Sequence, residues 1–352
     1  MGVPSVSVVI PMYNKEQYIQ RTLNSVQRQV VTDYEVLIVD DGSTDGSAAA
    51  VEPFLNDRRF RLIRQQNTGE GGARNRGLRE AAGSITAFID ADDEWLPSHI
   101  QSILNLAALF PTAGFYATGY RSIYRNNFSV SRTINRRSPC LIQDYYRFAA
   151  SGHSVHISSV AMKRCAATSG VFFSENERIG ADLEFYLRLS LKTTLAYDPR
   201  ISSIYRCDIQ GSVMSETVWS RDMPLTGQYL ANSLAENQIP RSLIPSAQMY
   251  LRRIVVGHAL SGLSLGRKAE ALALLTLSSG LDEVEKSRLQ RVRSILQWIP
   301  QGASSATIRL FNSRWGLKLG SLSATSNGTS GQPRAHSKIV WRSHVPGRGN
   351  SI

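Results

Sequence analysis

Ile85-Thr86-Ala87-Phe88-Ile89-Asp90-Ala91-Asp92-Asp93-Glu94-Trp95 passes from an apolar run straight into four acids within five residues. Ile85 to Ile89 reads as a buried strand, and the carboxylates follow at its end. Like charges repel, so crowding aspartates there costs stability unless a cation sits among them. A hard divalent ion is one occupant, since Mg2+ or Mn2+ binds through one or two carboxylates and completes its shell with water and substrate phosphate. A solvated acidic turn, with Asp93 or Glu94 favouring a helix N-terminus, is the other reading.

Upstream, the pattern alternates. Val6 to Ile10 is a β-branched run that Pro11 is expected to stop. Ile19, Leu23 and Val26 then fall at helical spacing. A second strand, Glu35 to Val39, runs into Asp40-Asp41-Gly42-Ser43-Thr44-Asp45-Gly46-Ser47, a mixture of turn formers and helix caps. Ala48 to Leu55 reads as a helix and Arg59 to Arg64 as a third strand. Asn67-Thr68-Gly69-Glu70-Gly71-Gly72-Ala73-Arg74-Asn75-Arg76-Gly77 opens a helix that reaches Ala82. Strands alternating with helices predict an α/β fold with a doubly wound, mostly parallel sheet, whose ligand crevice lies beyond the carboxyl ends of its strands. Tyr13-Asn14, Asp40-Asp41 and Asp90 to Asp93 all follow strand ends, so they converge on one crevice.

The bulk numbers set bounds. The chain has 352 residues, 42% of them hydrophobic, enough for a sizeable core. No apolar run is long enough for a transmembrane helix, and Met1 to Ile10 lacks a charged start and cleavage site, so neither a spanning helix nor a signal peptide is expected. Cys140, Cys165 and Cys207 are odd in number and far apart, which suits a reducing cytosol better than disulfides or zinc. The net charge is +12, without zinc spacing or an RNA-binding signature, so no nucleic-acid partner is expected.

The series Pro11-Met12-Tyr13-Asn14, Val39 to Asp45, Asn67 to Gly77 and Asp90-Ala91-Asp92-Asp93 resembles the ordered motifs of family 2 glycosyltransferases over roughly Val6 to Ser215. The resemblance implies a GT-A fold, a Rossmann-like sheet with flanking helices, and a nucleoside-diphosphate sugar as donor. It places Asp41, with Asp40 behind it, on the base and ribose, and Tyr13 against the base in a loop shaped by Pro11. Arg74 suits the diphosphate, because its fork donates two hydrogen bonds at once; a structural salt bridge is the competing reading. Asp90 and Asp92 form the D-x-D pair, and the Mn2+ or Mg2+ cofactor falls to Asp92 or Asp93.

Two further segments carry the rest of the chemistry. Arg178 to Leu189 reads as a helix start with Leu183, Tyr186 and Leu187 on one apolar face. The resemblance makes Asp182 the general base toward the acceptor hydroxyl, with Ala181 where the family usually has glutamate. A plain helix cap is the alternative for Asp182. Ile204 to Ser215 resembles the family's closing loop, which makes Arg206 a diphosphate contact and puts Asp208 where histidine is usual. Phe115, Tyr116, Tyr120 and Tyr124 are read as core, with an acceptor cleft as the alternative. His153 and His156 lack a third metal ligand at zinc spacing and are read as ordinary histidines.

The expected layout is a catalytic domain at 1–218, with a nucleotide-sugar half (1–112) and an acceptor half (113–218). A helical extension follows at 219–320, and a disordered basic tail at 321–352. Helices are expected over Ser242 to Leu265, Lys268 to Ser278 and Asp282 to Trp298. The basic, Trp- and Leu-bearing stretches Val284 to Trp298 and Ile308 to Leu319 suit either an anionic membrane surface or packing on the catalytic domain. The function implied is inverting, metal-dependent sugar transfer to a saccharide or lipid-linked saccharide acceptor in cell-surface or extracellular polysaccharide assembly. The location implied is the cytoplasm, peripheral at the inner membrane face. The competing reading is a decayed scaffold that serves as a basic binding module for membrane or nucleic acid.

Overall fold

Val6–Met12 (β1) is buried along its whole length, and its alternation divides the molecule into two cores. Val6, Val8 and Ile10 pack on one face of the sheet, with Ile19, Leu23 and Val26 of α1 (Ile19–Gln27). Val9 packs on the other, with Ala73 and Leu78 of α3 (Gly69–Glu80). This period-two division is what a doubly covered sheet requires of its central strand. The computed structural model describes residues 2–124, 128–164, 170–175, 180–209, 222–276 and 279–298. The readings made for Arg178, for Gln210 to Ser215, for Ile308 to Leu319, for the tail from Ser321 and for Cys165 lie outside those residues.

β1 pairs in parallel with β2 (Tyr34–Asp40) on one side and β4 (Ile85–Phe88) on the other, and β2 pairs with β3 (Phe60–Arg64). The order β3-β2-β1-β4 is the doubly wound half. Pro11 does not stop β1: it stands opposite Val39 within the strand. The reason lies in strand geometry. Val9 turns its carbonyl toward β4, where Ile89 donates to it. Two residues on, Pro11 faces the same side, beyond the end of β4, so its missing N–H leaves no ladder bond unmade. Between β2 and β3, the expected helix is shorter: α2 (Ser47–Val51) gives way to a 3-10 turn at Glu52–Asn56 that carries Pro53.

Beyond β4 the sheet turns mixed. β9 (Val160–Lys163) runs antiparallel between β4 and β6 (Phe115–Ile123), and β10 (Leu195–Arg206) is parallel to β6. Short strands β5 (Glu94–Trp95), β7 (Ser129–Arg132) and β8 (Cys140–Ile142) complete its rim among the described residues. β5 and α4 (His99–Leu109) follow the acidic run, and Ile100, Ile103 and Leu106 of α4 join the α1 side.

The opposite face is covered by α5 (Tyr145–Ala150), α6 (Ala181–Lys192), α7 (Leu225–Ala235), α8 (Ile244–Ser264), α9 (Lys268–Leu274) and α10 (Glu283–Leu296). Ala247, Leu251, Val255 and Leu260 of α8 share one apolar cluster with Phe115 and Tyr146 of the sheet half. In α10, Leu289, Val292 and Leu296 turn inward, and Arg252 of α8 pairs with Glu285 at 2.5 Å. Packing therefore accounts for the apolar stripe of α10, while Val284 and Trp298 stay exposed. No helix among the described residues is long and apolar enough to cross a membrane.

Candidate active site

The loops after β1 and β2 are tied to each other. Asn14 takes a left-handed backbone (φ 51°), and its side-chain oxygen accepts from the Thr44 amide at 2.8 Å. The Lys15 amide donates to Ser47 Oγ at 2.7 Å, and the Glu16 amide donates to Asp45 at 3.1 Å. Between these two strand ends stands Asp41, buried, whose Oδ1 accepts from the Thr68 amide at 2.9 Å and Gln65 Nε2 at 2.7 Å. Asp40 accepts from the Ser43 amide at 2.9 Å. Tyr13 lies at the mouth, 47% exposed, with its ring free to meet a flat ligand.

The acidic run fills the adjoining strand end, and its members are held differently. Asp90 Oδ1 accepts from Arg74 Nη2 at 2.7 Å, and Arg74 also pairs with Glu70 at 2.5 Å. Arg74 is almost fully buried, so two carboxylates balance a charge that would otherwise be costly. Asp92 faces the crevice and pairs with Lys15 Nζ at 2.5 Å. That pair and the nearby Asp90 and Glu70 charges raise the lysine's pKa against the opposing effect of its burial.

Asp93 points the other way, into the protein. Its Oδ2 accepts from Ser158 Oγ at 2.5 Å, its Oδ1 from the Arg206 amide at 2.9 Å, and its carbonyl from Thr22 Oγ1 at 2.7 Å. Full burial, then the Asp92 and Asp90 charges, raise its pKa well above the usual carboxylate range. His156 Nδ1 accepts from the Ser158 amide at 3.3 Å and lies 3.5 Å from Asp93 Oδ2. Two acceptors facing each other favour a proton on Asp93, while burial keeps the imidazole neutral by lowering its pKa. Asp90, Asp93 and His156 bring ligand atoms within 4.8 Å of one another, the one such group of acids and histidine found among the described residues.

Asp182 is the second residue of α6, half-buried, and its charge acts on Glu70, Arg74 and His156. The cap position belongs to Gly180, in a left-handed conformation (φ 82°), so the capping alternative for Asp182 does not hold. Arg206 is engaged by Glu94 at 2.8 Å and by Asp208 at 3.4 Å.

Residues 7–172 match the family model described as glycosyl transferase family 2. Over those residues the chain is similar to family 2 glycosyltransferases. The chain is 29% identical over 196 residues to TuaG of Bacillus subtilis, a protein assigned to teichuronic acid biosynthesis; the match covers 55% of this chain and 75% of TuaG. Among solved structures, the Staphylococcus aureus TarS 1–349 complex with UDP-GlcNAc superposes with a TM-score of 0.67 at 18% identity, covering 89% of this chain and 92% of that one. The mannosyltransferase PcManGT of Pyrobaculum calidifontis, in complex with GDP-Man and Mn2+, gives 0.53 at 20% identity, covering 90% and 86%. These likenesses show the fold of the chain, the GT-A type. For several other curated relatives, the matched region spans about a third of the relative's length.

The crevice thus brings together Asp41, Arg74, Asp90, Asp92 and Lys15, with Tyr13 at the rim. Pro11 is inside β1, and Asp93 is behind the crevice wall. Lys15 is the member sequence reasoning passed over, and His156, read there as an ordinary histidine, stands against Asp93. Lys15 follows Asn14 directly after the first strand, and His156 sits two residues before Ser158. Neither position announces itself without the fold, because each partner is more than sixty residues away. On α6, Leu183 faces out and Glu184 is buried on Arg188, which alters the expected apolar face. Phe115 and Tyr116 are core, as read.

Proposed function

We propose that this glycosyltransferase moves a sugar from a nucleoside-diphosphate donor to an acceptor hydroxyl in polysaccharide assembly, with inversion and with help from a divalent ion. The observation that carries the reading is the convergence of three strand ends beside Asp182. One acid is fully hydrogen-bonded in the wall, one is paired with a buried arginine, and one is open to the crevice. TarS with UDP-GlcNAc and PcManGT with GDP-Man supply the analogy for the donor class. TuaG supplies it for the polymer.

In this reading, Asp41 accepts from the base, Tyr13 covers it, and Arg74 acts through Asp90, holding that carboxylate toward the ribose. Arg206, fixed by Glu94, closes the diphosphate side. The donor set fits a hard ion: Asp92 has a single protein partner and faces the space where phosphate would lie, whereas both oxygens of Asp93 are already engaged. Asp92 would therefore hold the ion directly and Asp93 would buttress it. When bound, such an ion neutralises charge developing on the leaving diphosphate. Asp182 takes the proton of the acceptor hydroxyl as that oxygen attacks the anomeric carbon from the opposite face. A single displacement with one base inverts the configuration.

The test is a nucleotide-sugar screen by thermal shift and by donor hydrolysis, with and without Mn2+ or Mg2+. At least one donor should raise the melting temperature in a metal-dependent way. Silence across all donors would remove the reading. A peripheral contact with anionic membrane belongs to the same proposal, with Arg288, Arg291 and exposed Trp298 on the outer side of the C-terminal helices. Flotation with anionic vesicles at low and high salt checks it, and an unbound protein at low salt would dispose of it.

A further inference from the structure

A second recess lies in the acceptor half, outside the crevice described above. It is a cavity of about 130 Å³ between β7, the segment after α5 and β10. Ser131, Arg132, Thr133, His153, Ser154 and Tyr197 line it, and no carboxylate does among the described residues. An apolar cavity of roughly 150 Å³ takes a benzene ring, so this one has room for a phosphate or part of a sugar ring.

Its lining is mostly polar, completed by Ile134 and Gly152. Arg132 brings a guanidinium, His153 an imidazole, and Ser131, Thr133 and Ser154 bring hydroxyls. The Tyr197 hydroxyl at its base is buried, on a residue with no exposed surface, beside the Thr133 hydroxyl, which itself donates to the Pro199 carbonyl at 2.6 Å. From α8, Arg253 lays its guanidinium against Gly152, 3.1 Å from where a Cβ would stand. Partial desolvation and the Arg253 charge hold the His153 imidazole below its usual pKa, as expected where positive groups crowd. The loop between β7 and β8 adds exposed Arg136 and Arg137.

The cavity is coupled to the catalytic crevice through a short chain of side chains. Ser154 Oγ lies 2.9 Å from the Tyr120 hydroxyl, the Tyr120 ring is 5.5 Å from that of His156, and His156 faces Asp93. A group seated here would thus lie a few side chains from the acids that serve the donor.

We propose that this cavity binds an anionic group of the acceptor, a carboxylate or a phosphate, so that the glycosyltransferase acts on an acidic saccharide or a sugar phosphate. The proposal rests on the sugar-transfer reading and adds to it the charge of the acceptor. A guanidinium and an imidazole among hydroxyls, with no carboxylate in the lining among the described residues, suit an oxyanion, which gains charge-assisted hydrogen bonds that a neutral sugar does not.

The test is calorimetric titration of the full chain with inorganic phosphate, glucuronic acid and glucose, and in parallel with nucleoside diphosphate. One or both anions should bind and glucose should not. Arg132→Gln and His153→Asn should each weaken anion binding, about tenfold or more for the arginine, while nucleotide binding stays level. His153 is exposed, so its variant is expected to keep the fold whatever Arg132→Gln does. Preference for glucuronate supports a uronic-acid acceptor, and preference for phosphate supports a phosphate-bearing one. Absence of anion binding, or equal binding by wild type and both variants, overturns the proposal. Loss of nucleotide binding with anion binding intact would instead strike the sugar-transfer reading.

Discussion

Asp182 is the residue on which the proposed chemistry turns. A sugar hydroxyl is a weak nucleophile at neutral pH, and general-base help is typically worth about 100- to 10,000-fold. Asp182→Asn keeps the size and cannot take the proton, so turnover should fall by about that range with donor affinity unchanged. Transfer kinetics paired with donor titration on the same variant decide it, and near-native turnover would remove the role. Asp92→Asn makes the complementary case. It should weaken metal-dependent donor binding at least tenfold and leave the far-ultraviolet circular dichroism unaltered; unchanged Mn2+-dependent binding would shift the ion elsewhere. The acids were legible in the sequence because three of them crowd one strand end. What the sequence did not disclose was their division of labour. That division depends on Lys15, Ser158 and the Arg206 amide, partners that only the folded chain brings close.

Among the elements, α3 shows how a sequence fixes a site through packing. A Cβ at Gly77 would stand 2.3 Å from Val9 Cγ1, so glycine lets the helix lie directly on β1 and holds Arg74 over the crevice. Gly77→Ala gains up to about 1 kcal/mol of helix propensity but incurs an overpacking cost of about 1–3 kcal/mol. A net loss of up to about 2 kcal/mol is expected in urea unfolding; a stabilised variant would show that the helix can shift. The four parallel strands and α1 were readable from periodicity. α5 was not, since six residues are too few for a helical period, and α4 and α7 carried no motif that drew attention. The C-terminal helices were placed within a few residues. The apolar stripe of α10 suited a membrane as well as a core, and sequence patterning has no means of telling the two apart.

At the scale of the whole molecule, one buried histidine sets part of the acid tolerance. His99 stacks on Trp95 at 4.2 Å, its Nδ1 meets Ser202 Oγ at 2.8 Å, and Nε2 is buried without a partner. Burial lowers its pKa to about 3. Between the unfolded value of 6.5 and that figure, the unfolded chain binds the proton and the folded one does not. Stability is therefore intact above pH 6.5 and falls as pH drops, by up to about 1.4 kcal/mol per unit from this group. His99→Gln should flatten that slope in denaturant titrations from pH 7 to 4, and parallel curves would clear the histidine. The packing of α8 has a consequence of another kind, for a chain still leaving the ribosome. β10 is inserted beside β6 once residue 206 has emerged, yet the apolar cluster that α5 shares with α8 waits for α8, which ends at Ser264. At about 5–20 residues per second, that interval of about 58 residues lasts roughly 3–12 s. For that time the nascent chain presents α5 with part of its apolar surface uncovered, a window in which a chaperone can act.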